Sequence, residues 1–243
     1  MINFISNIFK LGYNKIIGKT ISILNQRRFS LNTEKILKNN FPSHKTFTFI
    51  QVGGNDGISF DFLYDFVTSR KSKGVIIEPI PVYYNELHNN YMKYPDILTV
   101  NKAVHPEKEK ENIYKIKDKN LLDYPDWAKG IASFNKKHLS KIITDLSDEH
   151  IEELEVQCDT LMNIALPFLN NIDYLQIDTE GFDYEVLKQI DFNKYSPAII
   201  KYERVNLLHN TVVEAEKLLR SNGYYCFAEG IDTIAVNLKK IKL

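Results

Sequence analysis

Carboxylate side chains follow several apolar runs of the chain, where such groups can bind a polar ligand or accept a proton. Glu78 ends the run GVIIE, and Asp178 follows IDYLQI with Glu180 two positions later. A carboxylate within hydrogen-bond reach of a hydroxyl can act as a general base, which raises rates by roughly 10²–10⁴-fold. We therefore predict Asp178 and Glu180 as catalytic residues, with His138, on a polar helical segment, as a third candidate.

A glycine-rich turn follows an apolar run in the stretch TFTFIQVGGNDG, residues 46–57. Glycine adopts positive φ angles and lets the backbone approach a ligand closely. The helical pattern after the turn adds free backbone N–H groups at the start of a helix. We predict that five residues of this turn bind a ligand: Gly53, Gly54, Asn55, Asp56 and Gly57.

The same turn, together with Glu78, narrows the class of ligand. Glu78 lies 21 positions after Gly57, and in dinucleotide sites an acid about 20 residues after the glycines binds the ribose hydroxyls. The dinucleotide pattern G-x-G-x-x-G requires glycine where this chain has Val52. Asn55 and Asp56 suit a cationic amino acid group better than a diphosphate, which favours S-adenosylmethionine. An NAD-dependent sugar oxidoreductase or epimerase is the alternative that we keep open.

Composition excludes several other classes of protein. Lysine plus arginine and aspartate plus glutamate both number 31, and this balance argues against a nucleic-acid partner, which usually requires a basic surplus. Cys158 and Cys226 lie far apart without zinc-ligand spacing, so we predict neither a disulfide framework nor a zinc site. That cysteine usage is typical of a reducing setting, which we predict to be cytoplasmic. No stretch reaches the length of about 18 apolar residues that a transmembrane helix needs.

The order of the predicted elements brings the polar residues to one edge of a sheet. Strands alternate with helices, which favours a parallel α/β sheet with right-handed crossovers. Ligands of such sheets bind beyond the carboxyl ends of the strands. Residues 112–117 alternate like a strand outside the main sheet, and we predict a helical insertion over residues 118–157. The predicted strands of the main sheet are 46–52, 74–78, 97–100, 172–178, 198–203 and a closing hairpin of 224–227 with 233–236.

The first 40 residues form a predicted helical extension before a domain over residues 41–243. Apolar residues recur at helical spacing from Ile5 to Leu24, and lysines and arginines lie between them. A basic amphipathic helix of this kind can lie on a membrane surface. We favour the alternative that it packs on its own domain or on a second copy of the chain.

Four motifs together resemble the FkbM-type S-adenosylmethionine-dependent methyltransferases. They are Gln51–Gly57 (QVGGNDG), Ile77–Pro79 (IEP), Asn101–Val104 (NKAV) and Gln176–Leu187 (QIDTEGFDYEVL). The last is the most specific, and the resemblance spans roughly Phe47 to Leu238. It implies the class I, Rossmann-like methyltransferase fold: an α/β architecture with a mostly parallel seven-stranded sheet, an antiparallel last strand and helices on both faces.

The resemblance also implies roles for residues at the matching positions. The turn from Gly53 to Gly57 is expected to wrap the methionine part of S-adenosylmethionine, and Glu78, beside Pro79, to bind its ribose. Asn101 and Ala103 are expected near the adenine. Members typically methylate hydroxyls of sugars or natural products. We therefore predict O-methylation of a sugar or glycan, such as a surface polysaccharide or a nucleotide-linked sugar, with a natural-product acceptor as the alternative.

Two further features concern the acceptor and a metal ion. Two converging carboxylates such as Asp178 and Glu180 can hold a divalent cation through oxygen. Only Glu203 or a histidine offers a third ligand, so we predict no resident metal. The aromatic candidates for stacking on a sugar ring are Trp127, Tyr124 and Tyr184.

Overall fold

The computed structural model describes residues 31–59 and 62–243. Its strands are β1 Phe47–Val52, β2 Ser72–Ile77, β3 Ile97–Val100, β4 Ala103–Val104, β5 Lys110–Ile116, β6 Ala132–Ser133, β7 Ile151–Asp159, β8 Tyr174–Ile177, β9 Ile199–Glu203, β10 Tyr224–Glu229 and β11 Asp232–Asn237. Its α-helices are α1 Thr33–Asn40, α2 Leu63–Thr68, α3 Pro81–Tyr91, α4 Lys136–Ile142, α5 Leu161–Ala165, α6 Asp183–Leu187 and α7 His209–Ser221. Short 3₁₀ helices cover Asp118–Asp123, Asp126–Gly130 and Asp148–His150.

Seven strands form the main sheet, in the order β10-β11-β9-β8-β1-β2-β3. The pairs from β9 to β3 are parallel, whereas β11 is antiparallel to both of its neighbours. β10 consequently runs in the same direction as β9. The predicted fold is therefore confirmed, including its antiparallel last strand.

The core explains why the central strands read as apolar runs. All six residues of β1 are buried, because helices cover both faces of the sheet. Ile50 and Val52 pack on one face with α6 and α7, which contribute Val186 and Ala215. The alternate residues of β1, among them Phe49, pack on the other face with α1, α2 and α3.

A smaller sheet lies outside the main one, and it corrects the prediction for residues 118–157. Four strands form it in the order β4-β7-β5-β6, so β5 does lie outside the main sheet as predicted. The helical interpretation is wrong from Ile151 onward, where β7 pairs antiparallel with the whole of β5. Ile151 and Leu154 have helical spacing and the segment is rich in glutamate, but pairing with an available neighbouring strand decides the conformation.

The described part of the N-terminal extension packs on the domain. Ile36 and Leu37 of α1 are buried in the core cluster that contains Phe47. Asn40 exchanges hydrogen bonds with the backbone of Lys242, at 2.7 Å to the carbonyl oxygen and 2.6 Å from the N–H. The predicted amphipathic helix before residue 31 lies outside the described residues. No helix in the described ranges is long and apolar enough to span a membrane.

Candidate active site

A cavity of about 710 Å³ opens at the carboxyl ends of the main-sheet strands. The ends of β1, β2, β8 and β9 form its floor, and residues of the smaller sheet and its connections form a second wall. This is the edge at which ligands of parallel sheets bind. The predicted site residues that line the cavity are Gly53, Gly54, Asn55, Glu78, Pro79, Ala103, Asp178 and Glu180.

The turn after β1 packs directly against the end of β8. The N–H groups of Gly53 and Gly54 both donate to the carbonyl oxygen of Ile77 at 3.0 Å, which ties the turn to the end of β2. Gly53 has a φ of +82°, and a Cβ atom there would lie 1.8 Å from the carbonyl oxygen of Asp178. Any side chain at residue 53 would force the two strand ends apart, so this glycine sets the shape of the cavity floor.

Glu78 is a buried carboxylate that faces the cavity. Its side chain accepts the N–H of Asn55 and the N–H of Ile80, each at 2.8 Å. Burial raises the pKa of Glu78 to about 7, the two N–H donors oppose the rise, and the charge of Asp178 adds to it. A carboxylate has about four lone-pair sites, so two bonds leave capacity for hydroxyl donors of a ligand.

Asp56, Gly57 and Asn101 lie outside the lining of the cavity and support it instead. Asp56 accepts the N–H and the hydroxyl of Ser59, at 2.7 and 2.6 Å, and so closes the turn on itself. The carbonyl oxygen of Gly57 accepts the Tyr91 hydroxyl at 3.2 Å. Asn101 donates from Nδ2 to the carbonyl oxygen of Glu78 at 2.9 Å. The positions of these three residues favour a supporting role over the predicted contact with the cofactor.

Three carboxylates meet at the opposite side of the cavity floor. Oxygen atoms of Asp178, Glu180 and Glu203 all lie within 4.8 Å of one another. Asn206 donates from Nδ2 to Oε2 of Glu180 and to Oε2 of Glu203, both at 2.7 Å. Nε2 of His138 lies 3.8 Å from Oε2 of Glu180. We call these five residues the carboxylate cluster, and it brings together all three predicted catalytic residues.

Protons neutralise part of the charge near this cluster. Burial raises the pKa of Glu203 to about 9, and the charges of Glu180, Asp178 and Asp183 add to the rise, so Glu203 is protonated at neutral pH. Asp183 is fully buried, which holds the pKa of its carboxyl well above its usual range. Asp183 accepts the Thr179 hydroxyl at 3.0 Å and the backbone N–H of Glu203 at 3.2 Å, and thereby braces the end of β8 against the end of β9.

The oxygen atoms of the cluster could hold a divalent cation, since Mg²⁺ and Ca²⁺ prefer such ligands. Without a metal ion, the hydrogen bonds from Asn206 and the proton on Glu203 would stabilise the same carboxyl groups. The absence of a resident metal therefore stays a prediction.

The second wall of the cavity carries apolar and aromatic groups. Trp127 lines the cavity and is 46% exposed, whereas the Tyr124 hydroxyl pairs with Nδ1 of His150 at 2.8 Å and Tyr184 packs against the core. Of the three aromatic candidates for stacking, only Trp127 is thus placed on the cavity.

Sequence reasoning missed two residues of the site. Asp183 lies inside the motif QIDTEGFDYEVL, so a signal for it existed. Asn206 occupies a loop without a pattern, and only the fold brings it to Glu180 and Glu203.

Most of the chain is similar to one known protein family. A family model described as the methyltransferase FkbM domain matches residues 51–226, which is most of the chain. The chain belongs to the FkbM methyltransferase family. It is accordingly a methyltransferase, and the fold family implies use of S-adenosylmethionine.

Solved structures provide more distant similarities. One is a methyltransferase FkbM from Methylobacillus flagellatus, 11% identical, with a TM-score of 0.47 over 79% of this chain and 43% of that chain. Another is the precorrin-6y C5,15-methyltransferase from Geobacter metallireducens, also 11% identical, with a TM-score of 0.42 over 86% of this chain and 90% of that chain. The search of curated proteins gave no match.

Proposed function

We propose that this FkbM methyltransferase transfers a methyl group from S-adenosylmethionine to a hydroxyl of a sugar or glycan. The observation that carries the proposal is that one cavity holds both the β1 turn with Glu78 and the carboxylate cluster. The first set suits a nucleoside with a cationic amino acid group, and the second suits a hydroxyl that must lose its proton. The prediction of a cytoplasmic protein without a nucleic-acid partner is part of this proposal.

The residues around the β1 turn fit the proposed cofactor. Glu78 has lone pairs left for the two ribose hydroxyls, and Asn55 and the glycines offer a close backbone surface for the amino acid part. Negative charge at Asp178 and Glu180 favours a cationic centre between the two sets. Bound S-adenosylmethionine supplies an electrophilic methyl group on a sulfonium.

Glu180 is the residue best placed to accept the proton of the acceptor. It lines the cavity, and Asn206 fixes one of its oxygens. His138 lies beside the same oxygen, where a protonated imidazole would stabilise the negative charge of Glu180. Holding the acceptor in line with the methyl group lets positioning alone supply up to about 7–11 kcal/mol of the barrier reduction.

The second wall of the cavity supports a sugar as the acceptor. Trp127 offers an exposed ring on which the apolar face of a sugar can stack, and polar groups at the strand ends can bind its hydroxyls. A natural product with a hydroxyl group could bind to the same apolar wall. The experiment therefore tests sugars and natural products as separate acceptors.

The test is incubation of the full chain with isotopically labelled S-adenosylmethionine and separate pools of glycans, nucleotide sugars and hydroxylated natural products. Mass spectrometry should find label in a sugar hydroxyl, and the reaction should persist after treatment with a chelator. Calorimetry tests cofactor binding separately from methyl transfer, because the protein should bind S-adenosylhomocysteine in the absence of an acceptor. Binding of NAD without binding of S-adenosylhomocysteine would favour the oxidoreductase alternative.

A further inference from the structure

The backbone of Glu180 has an uncommon conformation. Glu180 has a φ of +51° and Gly181 has a φ of +96°, so two successive residues lie in the left-handed region. That region is strained for a residue with a Cβ atom, and such strain persists only where surrounding contacts hold it. Glycine adopts either sign of φ at little cost, so Gly181 does not fix the peptide group between residues 180 and 181. A contact from another element must therefore hold this peptide group.

The hydroxyl of Ser133, in β6 of the smaller sheet, makes that contact. It donates to the carbonyl oxygen of Glu180 at 2.9 Å. The same hydroxyl oxygen accepts the N–H of Asn135 at 3.3 Å. A serine hydroxyl has one proton to donate, and here the proton is directed to Glu180. Ser133 therefore fixes the direction of the Glu180 carbonyl group.

Ser133 lies behind the wall of the cavity. It is 4% exposed and is not among the residues that line the cavity, whereas its neighbours Ala132 and Phe134 do line it. A ligand in the cavity would therefore contact the neighbours of Ser133 and not its hydroxyl. A change at Ser133 can affect the reaction only through the residues that it holds.

Aromatic packing fixes the loop after β8 beyond Gly181. The ring of Phe134 meets the ring of Phe182 edge-on with centroids 4.9 Å apart, and His105 stacks on Phe182 at 5.4 Å. The Phe182 N–H donates to the carbonyl oxygen of Thr179 at 3.3 Å. Packing and this hydrogen bond thus hold the two ends of the loop, and the bond from Ser133 holds the peptide group between them.

The segment that contains Ser133 also reaches the carboxylate of Glu180. Asn135 caps α4 by accepting the N–H of Lys137 at 3.1 Å, and His138 lies in the first turn of that helix. Nε2 of His138 is 3.8 Å from Oε2 of Glu180, the oxygen to which Asn206 donates. One segment of the smaller sheet and its connection thus contacts both the backbone and the side chain of Glu180.

We propose that Ser133 is a positioning residue for proton transfer: its hydrogen bond holds the backbone of Glu180 so that the carboxylate faces the cavity between Asn206 and His138. The inference rests on the proposed function, in which Glu180 accepts the proton of the methyl acceptor. Rotation of the peptide group would move that carboxylate, and a displacement of about 1 Å can reduce a rate by about 10²-fold.

The experiment compares steady-state kinetics of Ser133→Ala and the wild type, with the methyl acceptor found in the labelling experiment. The kcat of the variant should fall by about 10–100-fold. The KM for the methyl acceptor and the calorimetric affinity for S-adenosylhomocysteine should change by less than about threefold, because Ser133 contacts neither ligand. Ser133→Thr keeps a hydroxyl and should restore most of kcat, and Ser133→Cys, with a weaker donor, should lie between the two.

Ser69 provides the matched control. Its hydroxyl also donates to a backbone carbonyl oxygen, that of Phe66, at 3.2 Å, but it lies at the end of α2 and does not line the cavity. Ser69→Ala should keep the kcat of the wild type. Thermal unfolding of each variant checks that it is folded.

Crystal structures of the wild type and S133A test the position of Glu180 without methyl transfer. In the variant, the φ of Glu180 should leave the left-handed region, and the distance from Nδ2 of Asn206 to Oε2 of Glu180 should exceed about 3.5 Å. An unchanged Glu180, a wild-type kcat in S133A or an equal loss of kcat in S69A would overturn the proposal. If the wild type labels no methyl acceptor, the proposed function fails, and the crystal structures still decide whether Ser133 holds Glu180.

Discussion

Glu78 is close to half ionised at neutral pH, because burial raises its pKa to about 7. Hydroxyl donors of a ribose bind the ionised form. Because the carboxyl loses its proton as pH rises through about 7, cofactor affinity should increase from pH 6 to pH 8, by up to about tenfold. Calorimetry with S-adenosylhomocysteine at the two pH values measures this change.

The Glu78→Gln variant is the control for this prediction. It should bind more weakly than the wild type at pH 8, and its affinity should be the same at both pH values. A wild-type affinity that does not change between pH 6 and pH 8 would contradict the assigned role of Glu78.

Glu180 and His138 can be separated by the size of their effects on turnover. Glu180→Gln keeps an acceptor for the Asn206 amide but removes the base, so kcat should fall by roughly 10²–10⁴-fold. Cofactor affinity should change far less, and the same split is expected for Asp178→Asn. His138→Gln should cost only about tenfold if the imidazole acts through Glu180.

Steady-state kinetics together with cofactor calorimetry measures both quantities. A larger loss of kcat in the His138 variant than in the Glu180 variant would assign the proton transfer to the histidine instead.

The glycine turn after β1 matters at the scale of the elements that it joins. Gly53→Ala should destabilise the protein and weaken cofactor binding at least about tenfold, because the new Cβ would overlap the carbonyl oxygen of Asp178. Gly223 provides the matched control, since its φ is +85° but nothing lies within 4 Å of an added Cβ. Gly223→Ala should cost only the backbone strain and leave cofactor affinity unchanged.

Thermal unfolding and S-adenosylhomocysteine binding by both variants check this expectation. Equal losses of stability in the two variants would show that strain, and not the contact between β1 and β8, dominates at residue 53.

Elements that form a continuous apolar run were predictable from sequence, and those decided by a distant partner were not. β1 and β3 follow their predicted positions closely, because strands buried on both faces need apolar residues throughout. β7 is half exposed, and its glutamates are compatible with a helix. Its strand conformation depends on hydrogen bonds with β5, which the local sequence does not specify. The turn residues were predictable as a group. Whether Asp56 faces the ligand or closes the turn depends on its hydrogen bonds with Ser59, which no local sequence pattern specifies.

At the scale of the whole molecule, buried acids link stability to pH. Glu203 has a pKa of about 9 in the folded protein and an ordinary one near 4.5 when unfolded. The folded state therefore holds a proton that the unfolded state releases, so this group lowers stability as pH rises between those two values.

Glu203→Gln should remove that penalty. The melting temperature of the variant should exceed that of the wild type at pH 8 more than at pH 5, by about 2–4 °C for each kcal/mol recovered. Scanning calorimetry at the two pH values measures the difference, and Glu214→Gln on the exposed side of α7 provides the control. An increment that is equal at both pH values would argue against a buried proton at Glu203.

The paired hydrogen bonds between Asn40 and Lys242 join the first described helix to the segment that follows β11. A protease that trimmed the final residues would therefore remove these two hydrogen bonds and the packing of Ile241 on the same core cluster, and should loosen the C-terminal end of α1. Removal of the last residues should consequently affect a helix that lies some 200 positions earlier in the sequence.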